Sequence, residues 1–211
     1  MELPETPSFD LNGKKALVVG ASSGIGLASA CALASKGSNV TLASRRVAKL
    51  KNIVNEMSSK GWTSSYIEMN IADIKRTKAL VQENGPFDIL VNSAGLARHS
   101  KMVDTTSKDF DQVMNVNLRG AYFLTQSVAI ELLKAGKSGS LINISSQMAH
   151  VGGLERAVYC ASKFAVEGFT KALAIELGSA QIRINTICPT FIKTAFTENT
   201  LENPIKRDWV L

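Results

Sequence analysis

Cysteine, histidine and long apolar runs are scarce in this chain, and each scarcity excludes something. The three cysteines, Cys31, Cys160 and Cys188, make no Cys-x-x-Cys pair and no Cys/His ligand spacing. An odd, scattered set predicts free thiols in a reducing compartment, the cytoplasm, with neither a disulfide framework nor a zinc motif. The two histidines, His99 and His150, lie far apart and suggest no metal site; His99 reads as a surface loop residue. No apolar run reaches the ~18 residues of a membrane-spanning helix, so no membrane partner is expected. The opening MELPETPSFD is acidic and proline-bearing, unlike the basic-then-apolar order of a signal peptide. Lys and Arg outnumber Asp and Glu, 24 to 18, for a net charge of +6. No block of like charges accompanies that excess, which argues against nucleic acid and suits a small anionic ligand.

What the chain has is alternation. Short apolar runs are expected as strands at 16–20, 40–44, 65–70, 88–92, 141–144 and 183–188. Between them lie patterns of helical period at 27–36, 47–60, 74–83, 107–133 and 159–177. Gly37 and Gly61 close the first two helices, and Gly120 is a candidate bend in the fourth. Strands apolar on both faces and separated by helices predict a doubly wound parallel α/β sheet of the Rossmann type. At 211 residues a single domain is expected. Its organisation reads as a lead at 1–13, the alternating domain at 14–193 and a tail at 194–211.

Such sheets bind ligands at the carboxyl ends of their strands, and four unusual stretches fall there. The first is Gly20-Ala-Ser22-Ser23-Gly24-Ile25-Gly26, which follows the first strand and opens a helix. Its glycines let a pyrophosphate approach the N–H groups of a helix start. The others are 92–95, Ser146 and 189–194. Ser44-Arg45 ends the second strand, where an NAD-preferring protein carries an acid. An arginine there favours a 2′-phosphate, so NADP(H) is expected over NAD(H), with Arg45 the contact and Arg46 turned to solvent. Tyr159 and Lys163 share one helix face at i and i+4, near Ser146. A lysine cation beside the phenol would lower its pKa, and a serine hydroxyl would hold a carbonyl oxygen.

Together the Gly20-x-x-x-Gly24-x-Gly26 loop, Asn92-Ser-Ala-Gly95, Asn117 within Val-Asn-Leu-Arg-Gly, Ser146 and Tyr159-x-x-x-Lys163 resemble the short-chain dehydrogenase/reductase family. The resemblance covers nearly the whole chain. It implies hydride transfer between NADP(H) and a carbonyl, with Tyr159 as general acid. Lys163 would hold the nicotinamide ribose, Ser146 the substrate carbonyl, and Asn117 a water leading from Lys163. Cofactor contacts implied are Gly20, Ser22, Ser23, Gly24, Ile25, Gly26, Ser44, Arg45, Asn70, Ile71, Asn92, Ala94, Gly95, Tyr159, Lys163, Pro189, Ile192 and Thr194. A homo-oligomer, dimer or tetramer, is also implied if the family's full C-terminus is present.

Departures from the family pattern are Val19, Ser93, Asn70 and Thr190, none of which touches the Ser/Tyr/Lys set. Ser145-Ser-Gln147, Val158-Tyr-Cys160 and Pro189-Thr190 resemble its L-xylulose (dicarbonyl) reductase group, whereas the loop 150–156 does not. A ketone or ketose is therefore the expected substrate and a 3-oxoacyl thioester the alternative. A nucleotide-binding protein without turnover is the reading from another class. The resemblance makes 14–193 an NADP-binding catalytic domain and 194–211 part of a substrate lid; the family's last helix and strand find no counterpart, so the chain reads either as a fragment or as a fold without its last strand.

Overall fold

Ala16, Leu17, Val18 and Val19 are all buried, although neighbours along a strand point to opposite faces. Such a strand must be covered on both sides, and the architecture follows from that. The computed structural model describes residues 8–194, 196–202, 204, 207 and 208. Its strands are β1 (Lys15–Val19), β2 (Asn39–Ser44), β3 (Ser64–Glu68), β4 (Ile89–Asn92), β5 (Gly139–Ile144) and β6 (Ile182–Ile187). They form one sheet in the order β3-β2-β1-β4-β5-β6, and every pairing is parallel. The order reverses between β1 and β4, which opens a crevice at their carboxyl ends.

Helices α1 (Gly24–Ser35), α2 (Val47–Ser59), α3 (Ile74–Asn84), α4 (Ser107–Met114), α5 (Ala121–Lys134) and α6 (Ala157–Leu177) cover the two faces. One core gathers Leu17, Val19, Leu90 and Leu141 with Leu124, Val128 and Leu132 of α5. The other gathers Ala16, Val18, Val40 and Leu42 with Ala30 of α1 and Leu50 of α2. This is the doubly wound parallel sheet the alternation predicts. A short α7 (Glu198–Glu202) lies in the segment expected to be a partial lid.

The main departure is in the helix expected over 107–133. It is two α-helices joined by a π-helical stretch, Asn115–Gly120. Two contacts hold it. The Asn117 side chain is committed to the backbone of Leu96, and Gly120 packs so near Ile71 that a Cβ would stand 2.8 Å from its carbonyl oxygen. Widened turns of this kind gather at functional sites. Strand ends also shift: β3 stops at Glu68, leaving Asn70 in the loop, and β6 stops at Ile187, leaving Cys188 beyond it.

Candidate active site

The carboxyl edge of the sheet opens into a cavity of about 760 Å³. One end is the turn after β1. Gly20 has φ +81°, a left-handed conformation that a side chain strains, and a Cβ there would lie 2.7 Å from the carbonyl carbon of Ser93. A Cβ on Gly26 would stand 2.5 Å from the Gly20 carbonyl oxygen, so the helix can begin this close to the strand only as glycine. Ser23 is the N-cap of α1 but makes no side-chain cap bond. Its hydroxyl and that of Ser22 instead accept from the Arg46 guanidinium, at 2.8 Å and 2.9 Å. A helix N-terminus with an arginine beside it suits a phosphorylated dinucleotide in both geometry and charge.

The two arginines, both exposed, take different positions at this turn. Both line the cavity, but Arg46 crosses the glycine loop while Arg45 follows Ser44 at the strand end. The cause is local. The buried Ser44 hydroxyl accepts from the Arg46 N–H at 3.1 Å, turning the chain so that the second arginine points back at the loop.

The other end of the cavity holds Ser146, Tyr159 and Lys163. Ser146 follows β5 and starts a single 3-10 turn, Gln147–Ala149, where its hydroxyl accepts from the Met148 N–H at 3.1 Å. Tyr159 and Lys163 occupy the first turns of α6 and are both buried. Lys163 donates from Nζ to the Ile144 carbonyl at 2.8 Å, and Nζ stands 5.7 Å from the Tyr159 ring centroid. Burial lowers its pKa to about 8; the neighbouring Cys188 and Glu167 oppose that shift.

For Tyr159 the expectation of a lowered pKa is overturned. Burial raises it, and the hydrogen bond with Ser146 and the charge of Arg156 offset only part of the rise. Removing the phenolate from water costs more than its neighbours return. The Arg156 guanidinium supplies the positive charge that offsets part of the rise.

Several expected contacts sit behind the wall rather than on it. Asn92 is buried, donates to Asn143 Oδ1 at 3.0 Å and accepts from the Ala94 N–H, so it shapes the turn without lining the cavity. Gly26 likewise acts through packing. Asn117 Oδ1 accepts from the Leu96 N–H, and Nδ2 donates to the Leu96 carbonyl and to Ser162 Oγ. Through these bonds the side chain braces the backbone of Leu96 against α6. Gly95 lies between Asn117 and Lys163: a Cβ there would be 3.8 Å from Asn117 Oδ1 and 4.0 Å from Lys163 Nζ. The remaining expected contacts, Gly20, Ser22, Ser23, Gly24, Ile25, Ser44, Arg45, Asn70, Ile71, Ala94, Gly95, Pro189, Ile192 and Thr194, all line the cavity.

The sequence offered no signal for His99. It is an exposed loop residue, as expected, and it also meets the Tyr159 ring edge-on at 6.0 Å and bonds to Arg156 at 2.6 Å. Arginine can only donate, so His99 Nε2 accepts and carries no proton. The Arg156 guanidinium also stands 5.5 Å from the Phe191 ring centroid, and Phe196 tilts against Tyr159 at 6.4 Å.

A glycine-lined anion cradle at the switch point of a parallel sheet, with a tyrosine and a lysine at the far end, defines a nucleotide-binding α/β protein. A short chain dehydrogenase profile matches residues 14–204, and the chain belongs to that family of NAD(P)-dependent oxidoreductases. It is 34% identical over 200 residues to a D-erythrulose reductase of Gallus gallus, covering 95% of this chain and 80% of that one. An L-xylulose reductase of Mesocricetus auratus is also 34% identical over 196 residues, covering 93% and 79%. An Agrobacterium tumefaciens structure with bound NADP, described there as a candidate 2-deoxy-D-gluconate 3-dehydrogenase, superposes with TM-score 0.90. Its identity is 38%, over 96% of this chain and 81% of that one.

Proposed function

We propose that this protein reduces a ketone or ketose to the secondary alcohol with NADP(H) as cofactor. The observation that carries the reading is one cavity with the glycine cradle and Arg46 at one end and Ser146, Tyr159 and Lys163 at the other. The hydride would come from NADP(H) when it is bound. Tyr159, a phenol that holds its proton at neutral pH and that burial makes a still weaker acid, gives its proton to the substrate oxygen. The Ser146 hydroxyl holds that oxygen beside the phenol, and the Lys163 ammonium steadies the charge left on the phenol. Arg46 supports the choice of NADP(H), since a guanidinium over the loop favours a 2′-phosphate.

Gln147, His99 and Arg156 line the substrate end and can hydrogen-bond the hydroxyls of a polyhydroxy ketone. That polar wall favours a ketose over a 3-oxoacyl thioester. Residues 14–193 act as the catalytic domain. Thr194 packs over the loop, its Cγ2 lying 3.4 Å from where a Gly24 Cβ would be, which supports a closing role for the segment from 194 onward. Exposed Leu133, Phe164 and Ile175 on α5 and α6 support a homo-oligomer, and three free cysteines fit the cytoplasm.

The test is oxidation of NADPH and NADH with four-carbon and five-carbon ketoses, α-dicarbonyls and 3-oxoacyl thioesters. Ketose turnover with NADPH preferred is expected. Tyr159→Phe should lose about 10²–10⁴-fold in kcat while its Kd for NADPH is kept. A preference for NADH, or NADPH binding without turnover of any substrate, sinks the reading. An active Tyr159→Phe variant sinks the assigned acid.

A further inference from the structure

Behind Lys163, away from the cavity, three residues that are distant in sequence converge. Cys188 follows β6, Glu167 lies one turn beyond Lys163 on α6, and His150 follows the 3-10 turn that Ser146 begins. Cys188 Sγ donates to Glu167 Oε1 at 3.3 Å, and His150 Nε2 lies 3.3 Å from the same sulfur. The three ligand atoms fall within 4.8 Å of one another. Zinc bonds of about 2.0–2.3 Å put tetrahedral ligand atoms roughly 3.3–3.8 Å apart, so this set needs little rearrangement.

We propose that His150, Glu167 and Cys188 form a binding site for a thiophilic divalent cation of the zinc class. Thr186 Oγ1 donates to Glu167 Oε2 at 3.0 Å, which orients the carboxylate and leaves Oε1 toward the sulfur. Supports of this kind hold ligands in place. The buried Ser145 hydroxyl faces the same carboxylate without closing a hydrogen bond of ordinary geometry. His150 is exposed, so an ion can reach the site from solvent. One carboxylate with one thiol and one imidazole gives a hard cation too few oxygens, which selects zinc over magnesium or calcium. On binding, the Cys188 thiol loses its proton to solvent, and its hydrogen bond to Glu167 is replaced by metal bonds to both groups. The ion would clamp together the three segments that end at β6, run through α6 and carry Ser146. The sequence expectation of no metal site rested on spacing along the chain, and that spacing is blind to this convergence.

Cobalt titration of chelator-treated protein tests this without an activity readout. A thiolate-to-cobalt band in the near ultraviolet, bleached by zinc, is expected. Cys188→Ser should abolish the band, whereas Cys31→Ser and Cys160→Ser should keep it. His150→Ala, at an exposed position that does not threaten folding, should weaken binding by at least about tenfold, as loss even of a supporting residue does. Zinc should also raise the Tm of the wild type more than that of His150→Ala. No band, or a band that survives Cys188→Ser, overturns the site.

Discussion

Lys163 shows how a single buried residue can be costly and necessary together. Its folded pKa of about 8 lies below the ordinary 10.5. Between those values the unfolded chain binds more protons, so this group makes native stability rise with pH across that window. At neutral pH it costs on the order of 3 kcal/mol. Urea denaturation at about pH 7.5 and about pH 10 should show the gap between wild type and Lys163→Met narrowing at the higher pH. A gap that stays constant would remove the burial cost.

Arg46 carries a second prediction at this scale. Arg46→Ala should raise KM for NADPH by about 10–100-fold, the scale of a charge-assisted contact, and leave KM for NADH nearly unchanged. Arg45→Ala should do less; the opposite ranking would return the 2′-phosphate to Arg45. The pair was visible in the sequence, but not which member reaches the loop, because that depends on the Ser44 bond that turns the chain. His99 and Arg156 were missed for a related reason. They meet Tyr159 from loops whose paths no local pattern dictates.

Among the elements, the π-helical stretch Asn115–Gly120 joins the site to the fold. A methyl group at Gly120 would press on the Ile71 carbonyl at 2.8 Å and on the Asn115 carbonyl at 3.1 Å, both backbone atoms that cannot swing aside. Gly120→Ala should therefore lose about 1–3 kcal/mol of stability in urea denaturation. Unchanged stability would mean that the helix is not wedged there. The periodicity over 107–133 correctly marked a helical region. It carried no sign of a wider turn, because the turn is imposed by Leu96 and Ile71 from other parts of the chain. Strands β1 and β4 were legible in type and order because their apolar runs are short and buried on both faces.

For the whole molecule, one cofactor should bridge the strand ends on both sides of the switch point. A ligand that binds only the folded chain adds about 2.7 kcal/mol at a hundred times its Kd. For a chain of this length that corresponds to a Tm rise of about 5–10 °C. NADPH should produce this shift in a thermal melt, and NADH at equal concentration a smaller one. Equal shifts would contradict the role given to Arg46.

Sequence by itself determined the class of sheet, the order of its elements, the glycine turn and the Tyr159/Lys163 pair. These depend on burial pattern and on neighbours within about one helical turn, which the chain order already contains. Only the tertiary structure decided which arginine guards the loop, why the Tyr159 pKa rises, and that His150, Glu167 and Cys188 meet. Each of those depends on desolvation or on contact between distant segments, quantities that come into being only when the sheet is assembled and its edge closed.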